Sequence, residues 1–160
     1  MPDEVEELEV QLIQEMGRAI LGPVGRVLGA EHADGLARAV RSRAAELARQ
    51  LTDPDRSLAT AAAEAIQDLV PDRPRAWWQT PLGQAVAAQV DPTRTVSQAE
   101  AGRILGLTRG RITQLVQSGQ LATGPDGKPL LASVLARLVW TRQRFQSLRP
   151  WPDLKPWQRH

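Results

Sequence analysis

Apolar residues recur at intervals of three and four along the first half of the chain, which is the spacing of one face of an α-helix. The first series consists of Val5, Leu8, Leu12, Met16 and Ile20. It predicts a helix that ends near the Gly22-Pro23 pair. Two further series, at residues 36–51 and 58–69, predict two more helices on either side of a break at residues 52–54. These alanine-rich stripes favour close helix packing, either within one chain or against a second copy.

The strongest local pattern lies in residues 97–121, SQAEAGRILGLTRGRITQLVQSGQL. Ser97 followed by Glu100 is a capping box, which predicts that a helix begins here. Gly106 is expected to end that helix in the left-handed conformation, and Thr108 is a good N-cap for a second helix. Helices joined by so short a turn must cross steeply and share a small core. The side chains expected in that core are Leu105, Leu107, Ile112, Leu115 and Leu121.

The remaining side chains of the second helix include no carboxylate, although the chain has 18 acidic residues. Arg contacts guanine or phosphate, Gln pairs with adenine, and Thr contacts a thymine methyl group. The start of the second helix of a helix-turn-helix enters the major groove of DNA. We therefore expect base or near-base contacts from Thr108, Arg109, Thr113 and Gln114. Phosphate contacts are expected from Gln98, Arg103, Arg111 and Gln117.

The run QAEAGRILGLTRGRITQLVQ resembles the helix-turn-helix of phage repressors and of the excisionase and mercury-resistance-type (MerR-like) regulators. In that pattern a Gln opens the first helix, small residues lie in its middle, a Gly begins the turn, and branched apolar residues anchor the second helix. The matching residues are Gln98, Ala101, Gly102, Gly106, Ile112 and Leu115. Alanine is commoner than glycine at position 102, and the glycine costs about 1 kcal/mol of helix propensity. We expect Gly102 to let the two helices approach closely.

Residues 121–131 predict a small β-hairpin, which corresponds to the wing that excisionase-like domains carry beside the second helix. Residues 121–123 and 128–131 flank turn-forming residues at 124–127. Lys128, at the tip, is expected to contact a phosphate or the minor groove. A simple connecting loop is the alternative, because both strands are short and Pro129 removes one donor from the ladder. Ser133 is then expected to cap a further helix that completes the core of the domain.

A separate element is predicted between the two halves, where prolines bracket residues 75–90 and Thr80 caps a short helix. It contains the adjacent pair Trp77 and Trp78. The pair either packs this element onto the helix-turn-helix core or forms an aromatic surface anchor for a protein partner.

The end of the chain offers a second pair of aromatic residues. Trp151 and Trp157 lie among prolines and charged residues in the segment 149–160. We expect this tail to be disordered, and the alternative is an extended segment that docks onto a groove of a partner.

Charge separates the two halves of the chain. Residues 1–72 contain 14 acidic residues and 7 arginines, a net charge of −7, whereas residues 73–160 contain 4 acidic and 13 basic residues, a net charge of +9. The positive half includes the helix-turn-helix and is suited to releasing counterions from phosphates. A basic surface that serves only solubility explains this separation less well, because the other half is acidic.

The sequence offers little for catalysis. It has no Cys, its only histidines are His32 and His160, and it lacks a glycine-rich phosphate loop. We therefore expect no enzyme activity, no metal and no cofactor.

No apolar run approaches the roughly 20 residues that span a bilayer, and the acidic start lacks the basic flank of a signal peptide. A cytoplasmic protein without membrane contact is expected.

The predicted fold is all-α with a small β-hairpin wing: an N-terminal helical bundle followed by a C-terminal winged helix-turn-helix. The predicted parts are an acidic helical domain at 1–72, a linking element at 73–94, the DNA-binding domain at 95–148 and the tail at 149–160. Three functions stay open at this point. The first is a double-stranded DNA-binding regulator, such as a repressor, an activator or an autoregulating antitoxin, that dimerises through its N-terminal helices. The second is an architectural factor of the excisionase or plasmid-partition kind. The third is a protein-interaction module that uses its helix-turn-helix as a docking surface, with Trp77, Trp78 and the tail as further contacts.

Overall fold

The structure, a computed structural model, describes residues 3–70 and 73–147, and its internal contacts divide the chain into two compact units. The first unit extends to Pro92 and the second begins at Thr93. The helices of the first unit are α1 (Glu4–Met16), α2 (Gly22–Leu28), α3 (Ala33–Leu51), α4 (Arg56–Leu69), α5 (Arg75–Trp78) and α6 (Pro81–Ala88). Those of the second unit are α7 (Gln98–Leu105), α8 (Arg109–Gln117) and α9 (Leu131–Ser147). The predicted all-α fold is confirmed.

The first helix continues through the Gly22-Pro23 pair, contrary to our expectation. A π-helical turn, Gly17–Leu21, joins α1 to α2, and the N–H of Gly22 donates to the carbonyl of Gly17 five residues earlier. Pro23 then lies in the first turn of α2, where the missing N–H of a proline is tolerated. The helix ends only at Gly29, whose φ of +85° suits a glycine.

Helices α3 and α4 lie where the sequence predicts them. Asp55 caps α4, because its side chain accepts a hydrogen bond of 2.9 Å from the N–H of Ser57. The buried side of α4 consists mainly of Ala59, Ala62, Ala63 and Ile66, so that α3 and α4 pack through small side chains. Leu58 belongs to the predicted stripe but is exposed.

The apolar stripes of the first unit are covered within one chain. Helix α1 packs on α3, α3 packs on α4, and α6 contacts both α1 and α4. A partly buried polar contact supports this arrangement, since the N–H of Leu82 donates to the side-chain oxygen of Gln11 at 2.7 Å. The larger core side chains are Leu8, Leu12, Met16, Val40, Leu47, Leu51, Ile66, Leu82 and Val86. One chain therefore buries these side chains without a second copy, and dimerisation through the bundle stays a prediction.

The tryptophan pair belongs to the core of the first unit, which differs from both interpretations of the sequence. Trp77 and Trp78 are 8% and 2% exposed, and their rings meet edge to face at a centroid distance of 4.9 Å. Burial to this degree is incompatible with a surface anchor. Residues 73–92, predicted as part of a linking element, accordingly pack with the N-terminal helices.

The turn between α5 and α6 brings backbone against backbone. The hydroxyl of Thr80 accepts from the N–H of Gly83 at 3.0 Å and donates to the Trp77 carbonyl at 2.6 Å. A Cβ atom on Gly83 would overlap the carbonyl oxygen of Trp77 and lie 2.7 Å from the Cα atom of Trp78. Only glycine fits at position 83, and the position of the tryptophan pair depends on it.

We predict that Gly83→Ala destabilises the first unit by about 1–3 kcal/mol, because the added methyl group must displace the Trp77 backbone. The control is Gly25→Ala in α2, where a Cβ atom meets nothing within 4 Å. It should stabilise the helix by up to about 1 kcal/mol. Urea unfolding followed by circular dichroism measures both changes, and equal midpoints for Gly83→Ala and the wild type would refute this packing.

The predicted β-hairpin wing is not supported. Within the described residues the segment forms isolated bridges, Thr123 with Pro129 and Thr95 with Leu130, and no strands. The turn itself is present, with the N–H of Gly127 donating to the carbonyl of Gly124 at 3.0 Å. Pro129 explains the short pairing, because a proline contributes no N–H to a ladder.

Candidate nucleic-acid interface

Side-chain caps determine where the two helices of the predicted helix-turn-helix begin. The hydroxyl of Ser97 accepts a hydrogen bond of 3.1 Å from the N–H of Glu100, and the hydroxyl of Thr108 accepts one of 3.3 Å from the N–H of Arg111. Between the helices Gly106 has φ +66° and ψ +34°, the left-handed conformation expected of a C-terminal glycine. All three predicted signals are confirmed.

The turn after α7 lies directly on Gly102. The N–H of Leu107 donates to the carbonyl of Gly102 at 2.9 Å, and a Cβ atom on Gly102 would be 2.7 Å from the carbonyl oxygen of Leu107. This contact accounts for a glycine where the resembling families more often have alanine. It also corrects the predicted role of Leu107: its backbone faces α7, and its side chain is 37% exposed instead of filling the core.

The rest of the small core forms as expected, and α9 completes it. The buried side chains are Ala101, Ile104, Leu105, Ile112, Leu115, Leu121, Leu131, Val134, Leu135 and Leu138. Helix α9 packs on α7 but begins at Leu131, so Ser133 lies inside it and is not its N-cap. The Ser133 hydroxyl instead accepts from the N–H of Ala122 at 3.0 Å, which secures the segment that follows α8.

Helix α8 presents a polar face opposite Ile112 and Leu115, which are buried. Its nine residues, RGRITQLVQ, include no carboxylate. The residues of this helix that are exposed are Arg109, Gly110, Arg111, Gln114 and Gln117, and Thr113 is half-buried. We call these six residues the α8 face. Thr108, predicted as a base contact, is exposed at the cap that precedes them.

Two hydrogen bonds connect residues that the sequence assigned to DNA contacts. The hydroxyl of Thr113 lies 3.3 Å from the side-chain oxygen of Gln98, which links α8 to the first turn of α7. On the other side of the α8 face, the Arg111 guanidinium donates to the side-chain oxygen of Gln114 at 3.1 Å. Arg111 therefore holds the side-chain oxygen of Gln114 on the α8 face.

Two predicted contact residues lie on other elements of the second unit. Arg103 is exposed on α7, and Lys128 is exposed in the turn that follows α8. The carboxylate of Asp126 accepts from the backbone N–H of Lys128 at 3.1 Å and from the hydroxyl of Thr95 at 3.4 Å. This carboxylate stabilises the turn, while residues 93–160 contain 11 basic residues against 3 acidic ones.

Gly110 is the member of the α8 face that the sequence interpretation missed. Gly110, Gln114 and Gln117 lie at positions i, i+4 and i+7, which place them on one side of the helix. A Cβ atom at position 110 would meet nothing within 4 Å. Glycine has no functional group that predicts a contact with a ligand. The signal in the sequence that could have placed Gly110 on this face is its position between two arginines at the start of the helix.

Comparisons with protein-family models, with curated proteins and with solved structures found no match for this chain. Within the described residues no group of three or more His, Asp and Glu side chains is placed to hold a metal ion. None of the helices in that part of the chain combines the length and the apolarity needed to cross a bilayer. The predicted tail, with Trp151 and Trp157, lies outside the described residues.

We predict that Gly102→Ala destabilises the second unit, because the Leu107 carbonyl must move away from the new methyl group. The net loss should be up to about 2 kcal/mol, since overpacking costs about 1–3 kcal/mol and alanine adds about 1 kcal/mol of helix propensity. Amide hydrogen exchange in α7 and α8 measures it. Gly110→Ala, with open space around its Cβ atom, is the matched control and should slow exchange slightly. Unchanged protection in Gly102→Ala would contradict the close approach.

Proposed function

We propose that this chain is a sequence-specific double-stranded DNA-binding protein that inserts α8 into the major groove, and that it regulates transcription in a bacterium as a repressor or an autoregulating antitoxin. The observation that carries the proposal is the α8 face: an exposed polar surface without a carboxylate, on a helix whose start is fixed by a side-chain cap. Such a helix offers donors to base edges and phosphates, with no charge that repels them. The proposal implies a cytoplasmic protein.

The hydrogen bonds of the α8 face support a division of roles. Arg109, Thr113 and Gln114 are proposed to contact bases, and the bond from Arg111 holds Gln114 in place for this task. Gln98 accepts from Thr113 through its side-chain oxygen, so that its amide N–H groups are left to donate to a phosphate. Arg103, Gln117 and Lys128 are proposed to add phosphate contacts.

The two alternative functions fare differently. An architectural factor of the excisionase or plasmid-partition kind would use the same face, and the arrangement of its sites would distinguish it: direct repeats favour assembly, and a single palindrome near a promoter favours regulation. A protein-interaction module that docks through the helix-turn-helix loses Trp77 and Trp78 as contacts, because both side chains are buried in the first unit.

We further propose that the chain binds DNA as a homodimer through its first unit, which suits a two-fold-symmetric site. The end of α2 supports this, because Val27 is 84% exposed and Leu28, beside it, is exposed as well. The exposed apolar surface that these two neighbouring side chains provide is available for contact with a second copy.

We predict that Gln114→Ala weakens binding to a DNA site selected from random sequences by about 1–3 kcal/mol and changes binding to unrelated duplex little, because a base contact is lost. Lys128→Ala should weaken binding to both DNAs equally and lower the slope of log K against log salt by about one, because a phosphate contact is lost. Fluorescence anisotropy titrations at several salt concentrations measure both effects.

The control for charge is Arg38→Ala, which removes an exposed arginine from α3 in the first unit. It should change neither the affinity nor the salt slope. Equal losses on selected and unrelated DNA for Gln114→Ala would show that the wrong face has been assigned to the groove. A wild-type protein that binds no duplex at all would overturn the proposal.

We predict that the full chain sediments as a dimer and that Val27→Glu shifts it to the monomer, because the substitution places a charge on the proposed contact surface. Val139→Glu serves as the control, since Val139 is an exposed valine on α9 of the second unit. It should leave the dimer intact. Sedimentation velocity measures both, and a monomeric wild type at micromolar concentration would exclude the homodimer.

A further inference from the structure

Gly110 has no explanation within its own chain. A glycine inside a helix costs up to about 1 kcal/mol relative to alanine, and at several positions of this chain the structure shows a reason that offsets this cost. Positive φ supplies that reason at Gly106, and close contact with neighbouring backbone supplies it at Gly83 and Gly102. Gly110 has neither, because it is not among the glycines with positive φ and a Cβ atom there would meet nothing within 4 Å. Gly25 and Gly35 are open in the same way, and Gly110 differs from them in lying among the long polar side chains of the α8 face.

Its surroundings indicate what the missing side chain makes room for. Gly110 lies one turn before Gln114 and two turns before Gln117, and Arg109 and Arg111 flank it. All four of these neighbours have long polar side chains and are exposed. The α8 face therefore has a notch at its leading end, where the helix backbone is accessible between long donors.

We propose that the notch at Gly110 is the point at which B-form DNA comes into van der Waals contact with the α8 backbone; this inference rests on the proposed DNA-binding function. The major groove of B-DNA is about 12 Å wide, and an α-helix with its side chains is about 10–12 Å across. A helix that enters by its first turn has almost no clearance there. Without a side chain at position 110, α8 is narrower at the turn that enters first.

The depth of insertion follows from this contact. Arg109 and Gln114 reach the base edges only if the backbone between them comes close to the groove floor, since their side chains have fixed lengths. A methyl group at position 110 holds the helix away and weakens every base contact of the α8 face together. Double-stranded RNA is not the ligand, because its A-form major groove is too deep and narrow for a helix to enter.

The test compares Gly110→Ala and Gly110→Leu with Gly35→Ala in the full-length protein. Gly35 lies in the first turn of α3, and a Cβ atom there also meets nothing within 4 Å, so it matches Gly110 in helix position and in free space. Thermal melting should show all three variants folded, with the two alanine variants melting at or above the wild-type temperature.

Affinity for the selected duplex should then fall about tenfold in Gly110→Ala and about a hundredfold in Gly110→Leu, because a larger group holds the helix farther away. Gly35→Ala should bind like the wild type, and an RNA duplex of the same sequence should not compete. Wild-type affinity in both Gly110 variants would overturn the inference while leaving the proposed function intact. Absence of duplex binding by the wild type would overturn both the inference and the proposed function.

Discussion

The second unit depends on one steric constraint, the absence of a Cβ atom where the Leu107 carbonyl meets Gly102. This contact brings the turn onto α7, and with the left-handed Gly106 it determines where α8 begins. The cap at Thr108 then fixes the first turn of α8. Because the start of a helix sets the direction of every side chain on it, the composition of the α8 face follows from a contact that involves no functional group.

Local chemistry explains why so much of this region was predictable. Ser97, Gly106 and Thr108 act through hydrogen bonds and backbone angles within three residues of themselves, so their effects can be inferred without knowledge of the fold. The polar residues of α8 were predictable for a related reason, since the buried positions of Ile112 and Leu115 define the opposite side of the helix.

The errors have a common physical origin in contacts between distant parts of the chain. Trp77 and Trp78 are buried in a unit whose other helices precede them by many residues, and the π-helical turn that carries the first helix through Pro23 packs against α3. Neither follows from local patterns. At Leu107 hydrophobicity indicated burial, but the backbone contact with Gly102 turned its side chain outward.

The glycines of the chain differ in the structural reason for the missing side chain. Where the space is filled by the protein itself, as at Gly83 and Gly102, the glycine serves the fold, and where the backbone has positive φ, as at Gly106, it serves a turn. A helical glycine with free space around its Cβ position serves neither the fold nor a turn. No contact within the chain offsets its cost in helix propensity. Gly25 and Gly35 share this openness, but only at Gly110 does the open position lie at the leading end of the carboxylate-free α8 face, where the proposed contact with DNA would offset the cost.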